Sequence, residues 1–81
     1  MNAEQARAVI ERVLSRIAPE VDLLAVDPTE SLTDQLAIDS MDQLNLVLGV
    51  HEETGVDIPE RDYPKLASVE GFVTYLVARG A

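Results

Sequence analysis

Ala6, Val9, Ile10, Val13, Leu14 and Ile17 recur at i, i+3, i+4 and i+7 without a gap, the spacing of one face of an α-helix. A stripe of that kind has to be buried against another element. Asn2 stands ahead of it with Gln5 three residues on, a capping-box pair, and Pro19 follows its end. The repeat therefore predicts a helix over about residues 3–17.

The rest of the chain supplies helices, not strands, to pack on it. Residues 40–54 read as a second helix, closed by Gly55 as the residue just past its end. Val56-Asp57-Ile58-Pro59 is too short and isolated to build a sheet. Residues 60–66 read as a short irregular helix interrupted by Tyr63-Pro64. Ser68 caps a last helix with Val69, Phe72, Val73 and Leu76 on one face, Arg79 in its final turn and Gly80 at its end. Residues 18–39 have no helical period. Their turn formers (Pro19, Asp27, Pro28, Thr29, Ser31) and scattered apolar residues predict a long connection pinned to the core, with a short helical turn around Leu32–Leu36. A connection of that length in a small domain tends to be functional. The fold class expected is all-α: three main helices, one short helix and a long loop between the first two. At 81 residues the chain forms one domain, 1–81.

Composition removes most kinds of chemistry. With no cysteine and one histidine, disulfides, zinc sites and Cys/His nucleophile pairs are excluded, and the chain is not expected to be an enzyme. No metal is called for. No apolar run can span a bilayer, and Met1-Asn2-Ala3-Glu4-Gln5 lacks the basic start and apolar centre of a signal peptide, so a cytoplasmic monomer is expected. The net charge of −9 is concentrated in residues 19–62, where twelve acids face Arg61 alone. That segment repels nucleic acid and anionic membranes and attracts basic protein surfaces; it also reads as a solvated face that aids solubility. Close acids such as Glu52–Glu53 and Glu60–Asp62 are expected to repel one another.

Asp39-Ser40-Met41 opens the most apolar helix after the long polar loop. A serine at a helix N-terminus is a natural place for a phosphate ester, because unpaired N–H groups and the helix dipole both favour negative charge. Ser40 and Gln43 also form a capping-box pattern, which makes Ser40 a cap and nothing more. Both readings are open from the site alone. The helix itself has Leu46, Val50, Val47, Leu44, Leu48 and Met41 spread over roughly 220°, wider than one buried stripe of about 100° needs. Either it is buried on most sides, or one flank is a docking surface beside Asp42, Asn45, Glu52 and Glu53. Gly49 in its middle should cost about 1 kcal/mol of helix stability relative to alanine. His51 reads as a surface or boundary histidine, and Tyr63 and Tyr75 as core-edge aromatics.

The order of these features, most specifically LAIDSMDQLNLVLGVHEETGVDIP from Leu36 to Pro59, resembles the acyl carrier protein family, the phosphopantetheine-binding carrier domains. The resemblance covers nearly the whole chain. It implies that Ser40 is esterified by 4′-phosphopantetheine, delivered from coenzyme A by a phosphopantetheinyl transferase, with Asp39 and Asp42 positioning the transferase's magnesium ion. It implies a discrete carrier that holds acyl intermediates as thioesters, without catalysis of its own. Met41, Leu44, Asn45, Leu48 and Glu52 match docking positions for acyl-activating, acyl-transfer or ketosynthase-type enzymes with basic patches. Leu46, Val47 and Val50 match core positions. Asn45 and His51 stand where fatty-acid carriers commonly have glutamate, which leaves a specialised polyketide, lipid or aminoacyl carrier open beside the housekeeping fatty-acid role. An unmodified acidic helical adaptor is the competing reading.

Overall fold

Each long helix begins where a polar side chain takes over N–H groups that the helix itself cannot satisfy. In the computed structural model, which describes residues 1–80, α1 spans Ala3–Ile17. Its capping box is the one read from sequence: Gln5 N–H donates to Asn2 Oδ1 at 2.8 Å and Asn2 N–H to Gln5 Oε1 at 3.0 Å. A single turn, α2, covers Leu32–Gln35, α3 covers Ser40–Thr54, and α4 covers Val69–Arg79. Ser68 caps α4 by accepting from Gly71 N–H at 3.0 Å. Two 3-10 helices complete the chain, at Leu23–Ala25 and Glu60–Leu66, and no strand occurs among the described residues. The all-α architecture is the one expected. The short 3-10 turn at Leu23–Ala25 is the addition that sequence periodicity did not show.

The core lies where α1 packs on both α3 and α4. Ile10 and Leu14 from α1, Leu46 and Val50 from α3, and Phe72 and Leu76 from α4 are fully buried. Gly49 sets the closeness of the α1–α3 contact. A Cβ built there would fall 2.5 Å from Val13 Cγ1, far inside van der Waals contact. Gly49 is thus not a weak point in the helix but the position that lets the two helices meet. Gly55 ends α3 in the left-handed conformation, φ +70°, with its N–H on the His51 carbonyl at 2.8 Å.

The long connection is held by hydrogen bonds and one anchor. Leu32 is fully buried. Its N–H donates to the Ala67 carbonyl, and Glu70 N–H donates to the Pro28 carbonyl, both at 2.8 Å, tying the loop to the head of α4. The Gln35 amide spans the bend between, donating to the carbonyls of Asp27 (2.7 Å) and Glu30 (3.1 Å) and accepting from Asp27 N–H (2.8 Å). Ile38 is buried too and delivers the chain to α3.

Two of the acids expected to repel their neighbours are neutralised instead. Glu53 lies against α1, where Arg12 Nη2 (3.1 Å) and Arg16 Nη2 (2.9 Å) both reach it. Its carboxyl is held below the ordinary range, chiefly by the Arg12 hydrogen bond, against the opposing effect of burial. Asp62 is buried at 5% exposure. It accepts from the Tyr75 hydroxyl at 2.7 Å and pairs with Lys65 and Arg79 at 3.4 Å each. Those contacts lower its carboxyl as well, the Tyr75 hydrogen bond most of all. A docking role for Glu53 is therefore withdrawn, because its charge is spent on α1.

Candidate functional site

The capping box read from sequence here is Ser40–Gln43, and the backbone forms a different one, Asp39–Asp42. Asp39, in extended conformation (φ −100°, ψ −175°), is the N-cap of α3. Its Oδ1 accepts from Asp42 N–H at 2.9 Å, and Asp39 N–H donates to Asp42 Oδ2 at 3.3 Å. Ser40 is the first residue of the helix, not its cap. Its hydroxyl is exposed and makes no hydrogen bond among the described residues. Gln43, the other half of the rejected box, reaches across the bundle and donates to the Leu66 carbonyl at 2.8 Å, leaving its buried Oε1 without a partner. The capping reading of Ser40 is overturned: the acid before it does that work.

What results is an alcohol with no structural duty at the positive end of a 15-residue helix. The first N–H groups of the helix, those of Ser40 and Met41, have no intrahelical acceptor. A phosphate ester on Ser40 Oγ fits this setting, since the oxygen is open to solvent and the N–H groups favour an anion. Asp39 and Asp42 flank it, each with one carboxylate oxygen committed to the cap.

The docking residues named from sequence share one face. Met41 (62% exposed), Leu44 (half-buried), Asn45 (exposed), Leu48 (44% exposed) and Glu52 (exposed) fall within an arc of roughly 100° at 3.6 residues per turn. Leu46, Val47 and Val50 are buried on the opposite side. Between these faces His51 is half-buried, and its Nδ1 contacts the Val56 carbonyl at 2.7 Å. A carbonyl only accepts, so Nδ1 carries the proton. Of the alternatives open for this helix, the two-faced one holds: one side is core and the other is surface. Among the described residues no cluster able to hold a metal ion occurs, and no helix is long and apolar enough to cross a membrane.

Comparison with known proteins is consistent along the chain. Residues 4–76 match the family described as "Phosphopantetheine attachment site". The acyl carrier protein of Campylobacter hominis is 34% identical over 73 residues, which cover 90% of this chain and 86% of that protein. The acyl carrier protein of Bdellovibrio bacteriovorus is 37% identical over 65 residues, 74% of this chain and 83% of the relative. That of Thermosynechococcus vestitus is 31% identical over 70 residues, 84% and 86% respectively. With a match that begins in α1 and ends in α4, the chain belongs to the acyl carrier protein family, whose cofactor is 4′-phosphopantetheine.

Proposed function

We propose that Ser40 is the attachment residue of a discrete acyl carrier. The observation that carries this reading is the free, exposed Ser40 hydroxyl at the head of α3, with the capping work done by Asp39 and Asp42. In the transfer, Ser40 Oγ bonds to the phosphorus of coenzyme A's pantetheine phosphate, the pyrophosphate bond breaks, the adenosine bisphosphate leaves and the hydroxyl proton passes to a base of the transferase. Asp39 and Asp42, which flank Ser40, would hold the transferase's magnesium ion, which would supply charge stabilisation for the transferring phosphate. The cofactor supplies a thiol that carries acyl groups as thioesters; the chain supplies attachment and recognition without catalysing the acyl chemistry. Residues 1–81 form one carrier domain, which works in the cytoplasm in a fatty-acid, polyketide or lipid pathway.

Recognition falls to the exposed stripe Met41, Leu44, Asn45, Leu48 and Glu52. It suits acyl-transfer or ketosynthase-type partners with an apolar patch and a basic rim. Incubation with coenzyme A, magnesium and a promiscuous phosphopantetheinyl transferase tests the reading by intact mass. The natural protein gains one phosphopantetheine, and the Ser40→Ala protein folds but gains none. An adduct mapped to Ser15, Ser31 or Ser68 defeats the assignment, and no adduct at all favours the acidic adaptor.

A further inference from the structure

Leu24 is the most exposed large apolar side chain among the described residues, 97% open to solvent, and it is held there. Asp22 caps the 3-10 turn that carries it: Leu24 N–H donates to Asp22 Oδ1 and Ala25 N–H to the Asp22 carbonyl, both at 3.0 Å. A leucine so placed gains the fold no apolar burial.

An apolar groove of about 470 Å³ opens nearby, between the head of α1, the long connection and the head of α4. Ala3, Pro28, Val69 and Val73 form its walls. Glu70 N–H on the Pro28 carbonyl at 2.8 Å holds the loop wall against α4, so the groove is already formed in the free protein. Arg7 and Val69 are shared with a hollow lined by Leu23 and Val26, which joins the groove to the turn that presents Leu24. This face lies across α1 from α3. At 3.6 residues per turn, Arg7, Glu11 and Leu14 on its side are centred roughly 180° from Arg12, Val13 and Arg16, which meet α3.

The charges of this face are negative and unspent. Glu4 and Glu70 line the groove, and Asp22 and Asp27 flank the turn. None of the four has a cationic group within 4.0 Å among the described residues. Arg7, the one base in the groove, pairs with Glu11 at 3.8 Å. These signs choose the occupant. A second copy would bring the same carboxylates against these, and the net charge of −9 opposes it. Anionic lipid is repelled in the same way. A helix with an apolar row flanked by Lys or Arg meets both demands: its row fills the groove and covers Leu24, and its cations meet Glu4, Glu70 and Asp22.

We propose that this face is a second docking surface, occupied by a basic amphipathic helix of a partner protein. Because it lies across α1 from α3, a partner can hold the carrier here while another enzyme is served from the α3 side. That consequence, unlike the docking itself, rests on the reading of Ser40 and its stripe.

The test follows amide resonances of the isotope-labelled full chain during titration with a synthetic helical peptide, a leucine row flanked by lysines. In two control peptides glutamates replace the lysines or alanines replace the leucines. Saturable shifts are expected at Ala3, Leu24, Glu70 and Val73 with the first peptide and with neither control. The same peptide can also reach the α3 stripe, and the Leu48 amide reports that event separately. Leu24→Ser should weaken the binding read at Ala3 and Val73 by on the order of tenfold. Glu70→Gln should weaken it by about two- to fivefold, the range of one exposed ion pair. Binding read at Leu48 should be unchanged in both variants, and so should the melting temperature, because both residues are exposed. Shifts confined to α3, equal shifts with either control, or binding that neither variant weakens overturn the proposal. So do shifts of the same amides with protein concentration alone, which would assign the face to a second copy. Shifts there with phosphatidylcholine vesicles overturn it in favour of a membrane.

Discussion

Gly49 shows how one residue can carry opposite signs at two levels of description. By helix propensity alone, Gly49→Ala should stabilise α3 by about 1 kcal/mol. The added Cβ, however, falls 2.5 Å from Val13 Cγ1. Val13 is buried, and its β-branched side chain is stiff within a helix, so it has little room to turn away. The packing effect wins: Gly49→Ala is expected to destabilise by roughly 1–3 kcal/mol, the usual range for overpacking. Thermal or urea unfolding measures it, with Val13→Ala in the same chain as the control. If Gly49→Ala raises the melting temperature, α1 and α3 are not in close contact at that point. Ser40 was equally ambiguous on its own. Ser40–Gln43 satisfies the capping pattern in sequence, but the extended backbone at Asp39 makes that residue the cap, paired with Asp42.

At the scale of elements, α3 divides its duties between core and surface. Leu48 is 44% exposed while Val47 beside it is buried. Leu48→Arg should leave stability within about 0.5 kcal/mol, as exposed substitutions do, while sharply slowing acyl transfer to partner enzymes. Paired melting curves and turnover of the loaded protein check this; a variant that unfolds would place Leu48 in the core. The second 3-10 helix and α4 are joined by Asp62, whose carboxyl is lowered by the Tyr75 hydroxyl first and by Lys65 and Arg79 after the opposing effect of burial. A carboxyl lowered in the folded state contributes stability that is fully present above the ordinary carboxylate range. That contribution is lost as pH falls through the folded value, below about pH 4. Tyr75→Phe removes the main cause of the lowering. Acid unfolding followed by circular dichroism should then begin at higher pH than in the natural protein, and the gap in stability between the two should shrink at the acid end. Superimposed acid limbs would show that Lys65 and Arg79 suffice.

Across the whole molecule, compactness and charge oppose one another. The radius of gyration is 11.3 Å, close to the roughly 11.7 Å of a compact chain of this length. Within that volume only Glu53 and Asp62, of the twelve acids in residues 19–62, have ion-pair partners among the described residues. The other ten have none, so this segment keeps a large uncompensated negative charge. Raising ionic strength until the Debye length falls from about 30 Å to about 8 Å should therefore raise the melting temperature at neutral pH. Millimolar magnesium should act in the same direction. A flat or falling melting temperature would mean that the Arg12 and Arg16 pairs with Glu53, which salt weakens, outweigh the repulsion.

The chain's local order was legible in advance because it is written in local terms. The apolar repeat of α1, the Asn2–Gln5 box, Ser68 as a cap and Gly55 as a stop depend on residues within a few positions of each other, and each stands where its spacing put it. That Met41, Leu44, Asn45, Leu48 and Glu52 share one face of α3 was legible in the same way, but that this face is exposed was one of two open readings until the packing was seen. Contacts between distant residues had no such signal. That Gly49 admits Val13, that Glu53 turns to Arg12 and Arg16, and that Asp62 sinks beneath Tyr75 follows from how the helices pack. Periodicity fixes each helix's own faces but not the angle and depth at which another helix meets them. The sequence by itself thus determined the three long helices, their ends and the family's serine motif. Only the tertiary structure decided which acid caps α3, which charges are spent internally, and that the Ser40 hydroxyl is left free.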